Sequence, residues 1–232
     1  MGAAEKLTRQ AVVDKAVGLA DADGVEAVTI RRLAQELGVT PMALYWHFKN
    51  KDLLLQGVAD QVLAEVVTPE FDPAAPWNAR LRAMVEALVR VLRRHPSLTS
   101  IFPMIEKQGV ESFTRATEVA LDLLSQAGFT LEEGYFISSH LLQGAIALVD
   151  GQPGCPVRMS ESEAAEWRRQ KRLALESLPA DRFPRMVDFA KTFEPEPDVE
   201  RYYAFGLDLL MSGVEAMAAQ RAPSTATPNS AT

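Results

Sequence analysis

Several things are scarce in this chain of 232 residues. It has one cysteine, Cys155, so no disulfide can close within the chain and a reducing compartment suits it. Its three histidines, His47, His95 and His140, fall in different segments, which leaves no Cys/His cluster of metal-ligand spacing. No apolar run approaches the roughly 18 residues of a membrane helix. The opening MGAAEKLTRQ holds no apolar signal-peptide core. A cytoplasmic protein with no membrane partner is expected. There is no glycine-rich phosphate loop and no nucleophile elbow. Cys155, in Gly154-Cys155-Pro156, is a lone thiol in an expected loop, and as a nucleophile it would need a partnered base. The chain is therefore not expected to be an enzyme, and no metal or cofactor is expected. Positive charge is in deficit, with 24 Lys and Arg against 31 Asp and Glu and a formal net charge of -7. That argues against a protein that coats nucleic acid through bulk charge.

Strand signals are missing too: no hairpin dipeptide joins alternating segments, and no βαβ rhythm appears. What is present reads as all-α. Thr8 caps a first helix that runs to Asp23, with Val12, Ala16, Leu19 and Ala20 on one stripe and Gly24 in the left-handed position after it. Thr29 caps a second helix, whose Leu33, Ala34 and Leu37 face inward. Thr40 caps a third, with Pro41 at its first position. Asn50 caps a fourth, from Lys51 to Val67. Pro69, Pro73 and Pro76 then redirect the chain. Further helices are expected over 77–94, 97–107, 110–127, 131–149, 161–177, 184–192 and 199–219. Thr130 to Glu133 and Ser160 to Glu163 read as capping boxes. The division expected is a domain over 1–68, a larger one over 69–220, and a disordered tail over 221–232.

The most informative stretch is GVEAVTIRRLAQELGVTPMALYWHFKNKDLL, residues 24–54. Two short helical patterns, Ile30 to Leu37 and Pro41 to His47, flank a tight turn at Gly38-Val39. Three flat side chains in a row, Tyr45, Trp46 and His47, cannot all be buried at 100° per residue, so at least one faces outward. From Thr29 to Lys51 four basic residues, Arg31, Arg32, Lys49 and Lys51, meet only Glu36, a local charge of +3. A basic patch on an acidic body suits a protein that touches DNA at one place. Each member alone has a plainer reading, an aromatic packed in the small domain or a solvated lysine; the combination is a helix-turn-helix with an aromatic and basic outer surface.

This stretch resembles the tetracycline-repressor (TetR) family of bacterial one-component regulators. Gly24, Thr29, Leu33, Ala34, Gly38, Val39, Leu44, Tyr45, His47, Phe48, Lys51 and Leu54 meet the family pattern at family spacing. The resemblance implies a ligand-responsive DNA-binding regulator, in the usual case a repressor, acting on double-stranded operator DNA. Arg31 falls where the family's prototype reads a guanine. Thr29, Tyr45, His47 and Lys51 match phosphate-contacting positions, and Thr40, Pro41 and Met42 the other base-reading ones; Trp46 and Lys49 complete the expected surface. Pro41 and Met42 depart from the prototype, since neither offers a side-chain donor, so a different operator is implied.

A looser resemblance extends to about Gln220 through Gly128-Phe129-Thr130-Leu131-Glu132 and Phe205-Gly206-Leu207-Asp208-Leu209-Leu210. It implies a C-terminal ligand-binding and dimerisation domain in which two helices of each subunit form a four-helix bundle. The last helix is apolar on most sides, so it is either buried within its own subunit or covered by a second copy; a homodimer on a palindromic operator is expected. A small-molecule effector is expected against Met84, Leu88, Phe102, Met104, Phe113, Thr117, Phe136, His140 and Gln143. The positions that hold magnesium-tetracycline in the prototype carry Val67, Met84, Leu88 and Phe102. With the chelating imidazole replaced by Phe102, a largely apolar effector fits better. Two other readings stay open: a redox-sensing regulator triggered at Cys155, and an interaction protein without DNA binding.

Overall fold

The computed structural model describes residues 7–66, 74–153, 160–193 and 196–221, and among these every regular element is helical. The helices are α1 (Arg9–Asp23), α2 (Ile30–Glu36), α3 (Pro41–Tyr45), α4 (Lys51–Ala64), α5 (Trp77–Arg94), α6 (Glu111–Gln126), α7 (Leu131–Asp150), α8 (Glu161–Glu176), α9 (Pro184–Ala190) and α10 (Val199–Ala219). Short three-ten helices occupy Val25–Ala27, Pro96–Ile101, Lys107–Gly109 and Lys191–Phe193.

Side-chain caps set the starts. Thr8, Thr29, Thr40 and Asn50 accept the backbone N–H groups of Ala11, Arg32, Ala43 and Leu53, each cap being worth about 0.5–2 kcal/mol. Thr130 with Glu133, and Ser160 with Glu163, close reciprocal boxes ahead of α7 and α8. Some expected spans are corrected. The segment 97–107 is not one helix but two three-ten pieces, because Pro103 lies between them and can neither donate nor tolerate the preceding turn. Helix α4 closes at Ala64, and α9 tightens into a three-ten turn after Ala190. Gly24 has the expected positive φ of 87°, but its ψ of 164° is extended rather than left-handed helical. Gly38, at φ 66°, makes the turn between α2 and α3.

Two compact units are distinguished, one formed by residues up to Asp150 together with those from Leu207 onward, the other by Gly151–Gly206. In the first, Val12, Ala16, Leu33, Leu44, Phe48, Leu54 and Val58 are buried among α1 to α4. Leu81, Leu92, Leu123, Leu124 and Met211 are buried along α5, α6 and α10. Polar ties join these groups. His95 Nδ1 lies 2.8 Å from the Asp21 carboxylate, and Thr99 donates to Asp150 at 2.6 Å. Helix α4 is tied to α6 by the Asp60 carboxylate, which accepts the Ser112 N–H at 2.8 Å. In the second unit the Tyr203 hydroxyl donates to Gln152 at 2.8 Å. The expected domain boundary at 68, Cys155 and the tail beyond Arg221 lie outside the described residues. Arg221 itself pairs with Glu133 and stands 4.4 Å over the Phe129 ring.

Candidate nucleic-acid interface and ligand cavity

The helix-turn-helix presents one bare surface. Leu44 and Phe48 turn inward, while Met42, Tyr45 and Trp46 are 68%, 47% and 85% exposed. His47 is half-buried, and Thr29, Arg31, Thr40, Pro41, Lys49 and Lys51 lie in the same solvent-facing stretch, Lys51 half-buried. Helix periodicity explains the split: once Leu44 and Phe48, four apart, fill the core, Tyr45 and Trp46 have nowhere to go but out. The two threonines use their oxygens to accept cap hydrogen bonds, which leaves each hydroxyl proton for an acceptor such as a phosphate oxygen.

Electrostatics sorts the basic residues. Arg32 is engaged by Asp23 at 2.9 Å and by Glu36 at 3.5 Å. Arg31, Lys49 and Lys51 have no ion-pair partner among the described residues. The arginine implied to read a base is thus the one without an acid beside it, and the local positive charge resides on the side chains at the rim.

The expected effector residues divide. Met84 and Leu88 of α5 and Phe113 and Thr117 of α6 meet in one apolar cavity of about 60 Å³, closed by Leu63 and Val66 at the end of α4 and by Ser138, Leu141 and Leu142 of α7. The Thr117 and Ser138 hydroxyls donate to the Phe113 and Gly134 carbonyls of their own helices, so the lining offers no unsatisfied donor. The volume is small against the roughly 300–1,000 Å³ of ligand sites, so a guest has to widen it. The other candidates lie away from this cavity. Phe102 is buried but does not line the cavity, and Met104 is exposed. Phe136, His140 and Gln143 lie on the outer face of α7, the His140 Nδ1 sitting 2.7 Å from the Phe136 carbonyl. The stripe facing the cavity, with Ser138, Leu141 and Leu142, is displaced from them by one or two residues, and both stripes of α7 are rich in apolar side chains.

That outer face continues on α10. Leu131, Tyr135 and Phe136 of α7 are exposed, as are Leu209 and Met217 of α10, while Leu207, Met211 and Val214 of α10 are buried. Helix α10 therefore satisfies one side within its own subunit and leaves the other bare. Gly144 lets Leu210 approach so closely that a Cβ there would come within 2.5 Å of the leucine side chain. Among the described residues no group of three or more His, Cys, Asp or Glu could hold a metal ion, and no helix is long and apolar enough to cross a membrane.

Comparison with known proteins covers both parts of the chain. Residues 12–58 match the family of bacterial regulatory proteins of the tetR type, and residues 68–218 match the tetracyclin repressor-like C-terminal domain. The HTH-type transcriptional repressor DrrR1 of Streptomyces coeruleorubidus is 31% identical over 93% of this chain and 80% of its own. The class D tetracycline repressor protein of Escherichia coli is 28% identical, with 90% of each chain covered. Among solved structures, apo ActR of Streptomyces coelicolor has a TM-score of 0.76 at 31% identity over 94% of this chain and 99% of that one. ActR has also been solved with (S)-DNPA and with actinorhodin. Since the two matched regions follow one another in the family's order and the whole-chain likeness agrees with them, the chain belongs to the TetR family of bacterial regulatory proteins.

Proposed function

We propose that this protein is a dimeric repressor that holds a palindromic operator and releases it when a small, largely apolar molecule enters the cavity among α4 to α7. Residues 1–68 read DNA, residues 69–220 bind the effector and the second subunit, and no reaction is catalysed. The protein works in the cytoplasm, where its operator is. The observation that carries the reading is the position of the cavity. Its wall includes Leu63 and Val66, at one end of α4, and the other end of α4 starts at Lys51, directly after the reading segment. A helix of 14 residues spans about 21 Å, so a guest that displaces Leu63 and Val66 moves the far end as well. Two reading heads held near 34–36 Å apart fit successive major grooves, and another spacing does not. The guest acts only through its preference for the second arrangement, and DNA weakens guest binding by the same factor.

Selection from random duplexes is expected to return an inverted repeat. The two compounds found with ActR serve as first probes, and one of them is expected to release the selected duplex, whereas magnesium-tetracycline is not. Thr117→Phe fills the cavity; it is expected to leave duplex affinity unchanged and to abolish release. Release that survives Thr117→Phe, or a selection that enriches nothing, overturns the proposal.

The proposed DNA contacts are Thr29, Arg31, Thr40, Pro41, Met42, Tyr45, Trp46, His47, Lys49 and Lys51. Arg31→Ala is expected to relax base preference at one position per half-site, at about 1–3 kcal/mol. Lys51→Ala is expected to weaken every duplex alike and to flatten the dependence on salt by about one counterion. Binding to a panel of single-base variants over a salt series separates the two effects; an unchanged preference for Arg31→Ala removes it from base readout.

A further inference from the structure

The second unit, Gly151–Gly206, contains a cavity of its own, of about 620 Å³. That is some ten times the space among α4 to α7 and lies within the roughly 300–1,000 Å³ typical of small-molecule sites. Its wall is aromatic: Trp167 of α8, Phe189 of α9, Phe193 of the turn that follows and Tyr202 of α10 all contribute. Phe189 and Phe193 meet edge to face, with centroids 5.4 Å apart at 80°, which fixes their orientation. Burial pushes the Tyr202 phenol up, so it stays neutral.

One charged group stands out among these rings. The Arg168 side chain is only 17% exposed, and its nearest carboxylate, Glu196, lies 3.9 Å away. That separation is longer than a hydrogen bond, so the guanidinium fork is not satisfied by it. Of the other charged residues that line the cavity, Arg201 is exposed to solvent where Arg168 is not. Asp198 accepts the Arg201 N–H and caps α10. A smaller hollow of about 180 Å³ shares Arg168 and Phe193 with the first and is flanked by Arg169 and Arg172. Arg169 is held by both oxygens of Glu166, at 2.8 and 3.0 Å, and Arg172 lies 3.6 Å from Glu176. Glu196, by contrast, is 75% exposed and swings into water at little cost.

We propose that this cavity is a second ligand site, taking a planar aromatic carboxylate whose rings lie among Trp167, Phe189, Phe193 and Tyr202 and whose carboxylate replaces Glu196 on Arg168. A planar fork in a partly desolvated setting recognises a carboxylate through two parallel hydrogen bonds, which a neutral amide cannot reproduce. The rings select flat molecules over aliphatic acids. The two cavities differ in the chemistry they accept, the one among α4 to α7 being lined almost wholly by apolar side chains and this one carrying a guanidinium.

The test uses the full-length protein with anthracene-2-carboxylate and its neutral carboxamide as probes, followed by calorimetry and by tryptophan emission. The acid is expected to bind at least about tenfold more tightly than the amide, the gain of a charge-assisted pair, and to quench Trp167. Arg168→Gln is expected to erase that preference, Arg168→Lys to keep part of it, and Thr117→Phe to leave it intact. Thermal melts confirm that the variants are folded. Equal binding of acid and amide, a preference that survives Arg168→Gln, or one lost in Thr117→Phe overturns the proposal. So does the absence of binding by either probe, which would leave a second copy of the chain as the cover of these rings.

Discussion

Leu209→Asp is expected to convert the protein to a monomer and to lower its affinity for the inverted-repeat operator by about 10²–10⁴-fold, the range lost when a second linked contact disappears. Leu209 is 68% exposed in the single subunit and stands at the centre of the bare stripe of α10, above Ser212, Gly213, Ala216 and Met217. The small residues below it let a facing helix come close. The exposed Leu131, Tyr135 and Phe136 of α7 extend the same apolar ground. A carboxylate buried at such a contact loses its hydration without a partner, a cost large enough to prevent association. The fold of the subunit should survive, because α10 keeps Leu207, Met211 and Val214 in its own core. Sedimentation velocity reads the mass, and fluorescence anisotropy with whole and half operators reads the affinity. Half-site binding should be unchanged. A variant that remains dimeric would place the twofold contact elsewhere on the surface.

Phe48→Ala is expected to destabilise the reading head by about 3–5 kcal/mol, the usual cost of deleting a buried phenyl group, and so to abolish operator binding. Phe48 is 1% exposed. A Cβ built on Gly57 of α4 would lie 3.1 Å from its ring, which shows how closely the ring approaches that backbone. The Arg9 guanidinium covers the ring at 4.7 Å to the centroid, a cation–π contact worth about 0.5–1 kcal/mol at an exposed site. Helices α1 and α4 thus meet at one side chain, which stands just past the end of α3. Without it the connection from α3 to α4 loses its buried anchor, and Tyr45 at the end of α3 and Lys51 at the start of α4 no longer keep their relative positions. Circular dichroism melts and anisotropy check this. Phe48→Leu, which keeps most of the volume, should retain measurable binding; a folded Phe48→Ala with native affinity would refute the anchoring role.

Much of this arrangement could be read from residue order, and the reasons are local. Caps and breakers act within four residues, so Thr8, Thr29, Thr40 and Asn50 announced their helices, and Pro96 and Gly128 their ends. The outward turn of Tyr45 and Trp46 followed from helix periodicity once Leu44 was assigned inward. The cavity was legible on α5 and α6, where one face is apolar and the other charged, and where Met84, Leu88, Phe113 and Thr117 line it. It was not legible on α7. That helix has two apolar faces, one toward its own subunit and one bare, and spacing alone does not say which is which; Phe136, His140 and Gln143 lie on the bare one. Nor did any periodicity reveal Asp60 as a partner of Ser112, since that bond joins positions 52 apart.

That bond has a mechanical consequence. The residue preceding α6, Val110, has no side chain able to cap it; the carboxylate that meets the first turn comes from Asp60, on α4. Any swing of α4 wide enough to part the two leaves the start of α6 uncapped, at about 0.5–2 kcal/mol. The bond therefore works as a detent, resisting small excursions of α4 and yielding only to a sufficient push. Asp60→Ala should make the lever slack, so that the operator is gripped less firmly even before any guest arrives.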